Sequence, residues 1–158
     1  MKHLLLRGII LGCVGIMAIS GPMASGQNRT AREQFAGTWR LVSLEEQGSD
    51  GKVHQNDCAG MLVTTQDGHI SVQVMDRNPK EQSTPAPEQY SQGGYEASYG
   101  TYVLDEGAHT FTFHVEGALV RSLIGKDLAR SYELSGKTMI VKSTRPDEHW
   151  RVTWERYQ

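Results

Sequence analysis

Short apolar runs with a period of two dominate the chain from residue 37 onward. Trp39 and Leu41 share one face of 37–44, and Ile70, Val72 and Val74 alternate with Ser71 and Gln73. Phe111, Phe113 and Val115 alternate with Thr112, His114 and Glu116. Leu128, Arg130, Tyr132 and Leu134 are in phase, and Trp150, Val152 and Trp154 repeat the pattern near the end. Successive side chains of a strand point to opposite faces, so each run reads as a half-buried β-strand.

Turn residues separate these runs. The stretches 60–65 and His69–Asp76 meet at Asp67-Gly68, a strong hairpin signal. Further strands are expected at 97–104, 109–116, 128–134, Thr138–Ser143 and from Trp150 onward. Asp105-Glu106-Gly107, Ser135-Gly136-Lys137 and Arg145-Pro146-Asp147-Glu148 supply the turns between them. Residues 47–57 read as a turn-rich connection, and 117–126 as a less regular crossing. The result is an all-β, antiparallel domain of about eight strands. Sequential hairpins favour an up-and-down barrel, because closure leaves no exposed edge.

One segment departs from the pattern. Between the third and fourth strands, Pro79, Pro85 and Pro87 exclude a strand from 76–96. Thr84-Pro85 suits the N-cap and first position of a short helix, which Gly93-Gly94 would end. A connection this long in a compact domain is usually functional or disordered, and it is expected to form a flap over one end.

Composition changes the picture mainly at the N-terminus. Lys2, His3 and Arg7 precede an apolar run at 9–19, and Ala24-Ser25-Gly26 supplies small residues before a cut at Gln27. This is the pattern of a secretory signal peptide. The run is shorter than the ~18–20 apolar residues a span needs, and Pro22 interrupts it. The expectation is a periplasmic or secreted product with no stable membrane span. Ile10-Leu11-Gly12-Cys13 loosely resembles a lipobox, which would instead make a lipoprotein anchored at Cys13. The 158-residue chain thus divides into a signal peptide at 1–26, a polar tether with a turn of helix at 27–35, and one barrel at 36–158.

Cleavage would take the formal charge from −2 to −4 by removing Lys2 and Arg7. With no Lys/Arg run, nucleic acid is not an expected partner. Loss of Cys13 would leave Cys58 without an intrachain partner, either as a small buried residue or as the thiol of an intermolecular dimer. No cofactor is expected. His54, His69, His109, His114 and His149 are scattered, without the close pairs typical of zinc. Neither a Gly-rich phosphate loop nor a Gly-x-Ser-x-Gly elbow is present.

Seven motifs in fixed order carry a family resemblance. They are Gly37-Thr38-Trp39-Arg40-Leu41-Val42-Ser43, Gly60-Met61-Leu62, Gly68-His69-Ile70-Ser71-Val72-Gln73-Val74-Met75-Asp76 and Tyr99-Gly100-Thr101-Tyr102. His114-Val115-Glu116-Gly117, Arg130-Ser131-Tyr132-Glu133-Leu134-Ser135-Gly136 and Trp154-Glu155-Arg156 complete the set. Together they resemble the bacterial and fungal lipocalin-like domain proteins, small relatives of the calycin barrels.

The resemblance implies a lipocalin-like β-barrel with an internal cavity. It implies little chemistry, since most members have no established activity and some fungal relatives catalyse isomerisation or cyclisation. The family often has two histidines ahead of Val-Glu-Gly, and Phe113 occupies the first of those positions here. An inward general acid/base is therefore missing at that point, which leans the reading away from an enzyme. The resemblance also implies that Trp39 packs at a closed end beneath Arg156. Gly37 and Trp154 are structural residues of the same opening and closing strands.

Arg130 shares its phase with apolar neighbours and should face the interior, where a guanidinium needs an anionic or carbonyl partner. That partner is either a ligand carboxylate or an internal acid such as Glu116. His114 and Glu116 lie opposite an all-apolar face, so they point outward unless the barrel is lined by the polar side. Tyr99 and Tyr102 fall on opposite faces, and one should offer its phenol to the cavity. The candidate ligand-binding residues are Arg130, Tyr99, Tyr102, His114 and Glu116, with no catalytic or metal-binding residue nominated. The expected function is binding of a small apolar or amphiphilic molecule. The alternatives are an isomerase or cyclase with at least two of His114, Glu116, Arg130 and Tyr102 in one cavity, and an interaction module with a filled barrel.

Overall fold

The computed structural model describes residues 29–78 and 94–158. The leader pattern, the Cys13 lipobox and the expected flap helix at Thr84-Pro85 lie outside the described residues. A short helix, α1 (Ala31–Phe35), precedes β1 (Gly37–Gln47), β2 (Val53–Asn56), β3 (Cys58–Thr64) and β4 (His69–Asp76). After 94 come β5 (Tyr95–Asp105), β6 (Thr110–Ala118), a 3-10 turn at Arg121–Leu123, β7 (Asp127–Ser135), β8 (Thr138–Ser143) and β9 (Trp150–Arg156). From β3 onward each strand pairs antiparallel with the next, and β9 pairs with β1 to close the sheet into a barrel.

Nine strands occupy eight places around this barrel. One edge of β1 is taken by β9, from Trp39↔Arg156 to Glu46↔Trp150. The other edge is shared: β3 pairs with Gly37 to Arg40, and β2 with Leu44 to Gln47. This corrects the expectation that 47–57 is only a connection. Asp50 accepts from the Lys52 N–H at 3.0 Å and Gly51 adopts φ 76°, which turns the chain back onto β1. Val53, His54 and Gln55 are all exposed, so β2 carries no apolar alternation to betray it in the sequence.

A bulge changes which residues of β1 face inward. Pairing with β9 slips between Leu41 and Ser43, so the inward phase moves from Trp39 and Leu41 to Leu44 and Glu46. Val42, at the slip, is exposed.

The core is densest at one end. Trp39, Phe35, Met139 and Val115 are its largest fully buried side chains. Phe35 is the surprise, since the sequence treats it only as an approach to β1. A helix as short as α1 would not persist alone. Its capping box, with Glu33 N–H to Thr30 Oγ1 at 3.2 Å and Thr30 N–H to Glu33 Oε2 at 2.9 Å, starts it. Burial of Phe35 then holds it against the barrel. That ring lies 5.0 to 5.3 Å, centroid to centroid, from Phe111, Tyr102 and Tyr132.

Candidate functional site

The two ends of the barrel are built differently. At the α1 end, the indole N–H of Trp39 donates to the Phe35 carbonyl at 3.2 Å. The Arg156 guanidinium lies over the same indole, 4.1 Å from its centroid. Arg156 also donates to the carbonyls of Ala36, at 2.8 Å, and Gln34. These carbonyls belong to the last turn of α1, where no intrahelical donor remains. Gly37 leaves room for this arrangement, because a Cβ there would collide with Nη1 of Arg156. Thr64 adds a hydroxyl bond to the Phe35 carbonyl at 2.7 Å. This end is plugged.

Toward the other end the side chains no longer meet across the barrel and leave a cavity of about 260 Å³. Most of its wall is aliphatic or aromatic. Leu62, Ile70, Val72 and Val74 form one side, and Phe111, Phe113, Leu128, Val141, Val152 and Trp154 the other. Polar groups are few: Glu46, Glu96, Ser98 and Arg130. Ser98 is buried.

Arg130 reaches the cavity from β7, between Phe111 on β6 and Ser143 on β8. Its side chain is only 16 % exposed. The guanidinium stacks on Trp150, 4.9 Å from the ring centroid, and donates to the Ala129 carbonyl at 3.0 Å. Its counter-ion is Glu148, with Nη1 to Oε2 at 3.6 Å. Burial pulls the Arg130 pKa below that of a free guanidinium, and Glu148 acts against this. Glu148 is held below the usual carboxylate range by the Ser143 hydroxyl first, at 2.6 Å. The Trp150 indole N–H, at 3.3 Å, and the charges of Arg130 and Arg145 act in the same direction.

The remaining ligand-binding candidates do not line this cavity. Tyr99 is 57 % exposed, and its ring covers Gly117 on the outer surface. His114 faces outward and pairs with Asp127, Nδ1 to Oδ1 at 2.8 Å, while Glu116 is exposed on the same outer face. Tyr102 does point inward, but at the plugged end, where its hydroxyl donates to the Thr65 carbonyl at 2.7 Å. Arg130 therefore pairs with Glu148, not Glu116. The cluster that an isomerase or cyclase reading requires is scattered over the outer wall, the plug and the cavity.

The sequence reading overlooked several cavity groups. Trp150 was readable from its phase with Val152 and Trp154, which is buried in the cavity wall. Glu148 looked like a turn residue, and only the fold brings it to Arg130. Glu46 was hidden by the bulge in β1.

Cys58 sits at the edge of the core with its Sγ 3.3 Å from Asp76 Oδ1. Burial, followed by Asp76, pushes its thiol up to about 11. Among the described residues no group of three or more His, Cys, Asp or Glu side chains is placed to hold a metal. No helix among them is long and apolar enough to cross a membrane.

No curated protein matches the chain. Residues 36–157 match the family model described as a lipocalin-like domain.

Proposed function

The chain belongs to the lipocalin-like domain family, and from that premise we propose that it binds a small, largely apolar molecule inside the barrel. The site is the cavity away from α1. The observation that carries this reading is the asymmetry of the interior. One end is packed with aromatic rings, and the other keeps about 260 Å³ open between mostly hydrocarbon walls. At a water-like share of ~30 Å³ per group, that volume takes roughly nine non-hydrogen groups of a ligand. A site of this kind draws affinity from its apolar wall and selectivity from a few polar groups. Here those groups are Arg130, Ser98 and the two glutamates Glu46 and Glu96. The leader pattern at 1–26 supports a place of action in the periplasm or outside the cell.

Native mass spectrometry of the protein isolated from its own cells tests both parts. The reading expects a mature chain beginning at Gln27 and a non-covalent adduct of small mass that denaturation releases. A chain that retains residues 1–26 would sink the export reading. Protein that carries no adduct and takes up no apolar probe would sink the binding reading.

A further inference from the structure

We infer that the polar end of the ligand is an uncharged oxygen acceptor, such as a ketone, aldehyde, ester or amide carbonyl, and not a carboxylate. This deepens the binding reading above and rests on it. A lone inward arginine would suggest an anion, but the surroundings of Arg130 argue otherwise. Its charge already has a partner in Glu148 at 3.6 Å. Glu148 is locked in place by the Ser143 hydroxyl at 2.6 Å and the Trp150 indole N–H at 3.3 Å, so it cannot swing aside cheaply. Arg145, a second cation nearby, is engaged by Asp147 at 2.8 Å and by Glu148 itself at 3.3 Å.

Two further carboxylates, Glu46 and Glu96, line the same cavity. Among the groups that line the cavity one guanidinium thus faces two exposed acids, and Glu148 beside it is shared with Arg145. A carboxylate entering the cavity would lose its water shell and meet net negative charge. A neutral carbonyl would meet neither penalty.

Donors remain for it. Of the guanidinium's five N–H groups, only Nη1 is spent on a backbone carbonyl, that of Ala129. Nε and Nη2 have no hydrogen-bond partner among the described residues. The stack on Trp150 fixes the plane of the group and leaves its edge to donate. The buried Ser98 hydroxyl offers a second neutral contact in the same wall.

The test compares 2-octanone with octanoate, which share a chain and differ in head charge. Each is titrated into the mature protein at neutral pH, with tryptophan fluorescence as the readout, since Trp150 and Trp154 both line the cavity. The ketone is expected to bind about tenfold or more tightly than octanoate. Glu148→Gln leaves Arg130 without its counter-ion and should shift the ratio toward octanoate by a similar factor. Arg130→Met should weaken the ketone and weaken octanoate further, because it removes the one cation that lines the cavity and leaves its carboxylates uncompensated.

If octanoate binds the wild type as tightly as the ketone, or if Glu148→Gln leaves the ratio unchanged, the inference is overturned and the binding reading stands. If neither molecule binds, the binding reading falls and takes the inference with it.

Discussion

Replacing Arg156 by Met tests how the plugged end is held. The substitution keeps an aliphatic chain over Trp39 but removes the charge and every donor. Lost with them are the hydrogen bonds to Ala36, at 2.8 Å, and Gln34, and the stack at 4.1 Å on a fully buried indole. A hydrogen bond from a charged group contributes about 1.5–3 kcal/mol, and the more exposed bond to Gln34 belongs below that range. The cation–π contact adds roughly 1 kcal/mol. Against these gains stands the desolvation of the guanidinium, visible as a lowered pKa. The net cost should be about 2–3 kcal/mol, or a fall of roughly 10 °C in Tm for a domain of this size.

Thermal unfolding followed by circular dichroism reads this directly, with Arg40→Met as the control. Arg40 lies on the same strand and pairs with Glu155, but its side chain is 57 % exposed, so its loss should move Tm by only about 3 °C. Arg156→Met should also leave ligand affinity intact, because Arg156 sits at the end away from the cavity. If Arg156→Met melts like Arg40→Met, the guanidinium is not what fastens α1 to the barrel. If it abolishes binding at temperatures where the fold persists, the two ends are not independent.

Other outcomes follow from single groups. Tyr132 is buried with no partner for its hydroxyl among the described residues, so Tyr132→Phe should leave Tm unchanged or raise it. Tyr102→Phe strips the Thr65 carbonyl of a donor and should lower Tm by about 4 °C, and the reverse order in a melting series would refute the assignment. Because the folded-state pKa of Glu148 is depressed, its contribution is complete above the ordinary glutamate value of about 4.3 and fades as pH falls through the lower folded value. An acid titration of tryptophan fluorescence should therefore show a transition below pH ~4 that Glu148→Gln abolishes; persistence in the variant would assign the transition elsewhere. A thiol at about 11 leaves a thiolate population about a hundredfold below that of an ordinary cysteine, so Cys58 should react slowly with iodoacetamide at pH 8. Rapid alkylation, or a disulfide-linked dimer on mild oxidation, would show that the Asp76 contact does not govern it.

What the chain reveals by reading alone divides along a physical line. Strands whose one face is buried, such as β4, β6 and β9, announce themselves by strict alternation, and their hairpins by Asp-Gly or Ser-Gly turns. The inward phase of Arg130 is visible for the same reason. β2 is not, because both its faces meet solvent and its only reason to be a strand is the free edge of β1. The bulge in β1 is likewise invisible to a period-two count, and it decides that Glu46 and not Glu45 lines the cavity. That one of Tyr99 and Tyr102 faces inward was legible, but neither which one nor its depth, since alternation tells faces apart without telling the plugged end from the open one. The Arg130–Glu148 contact depends on how a turn between β8 and β9 folds back, which no local pattern encodes. Phe35 shows the same limit, as its burial comes from three strands far away in sequence.

The central claim is that a small molecule occupies the barrel at the end away from α1. Methyl-detected NMR during titration with 2-octanone tests it at atomic positions. The account predicts saturable shifts at Leu62, Ile70, Val72, Val141 and Val152, which line the cavity, and none at Met139 in the dense core or at the exposed Val103. Shifts confined to outer methyls such as Val42, Val103 and Val120, or no saturable shift at all, would contradict it.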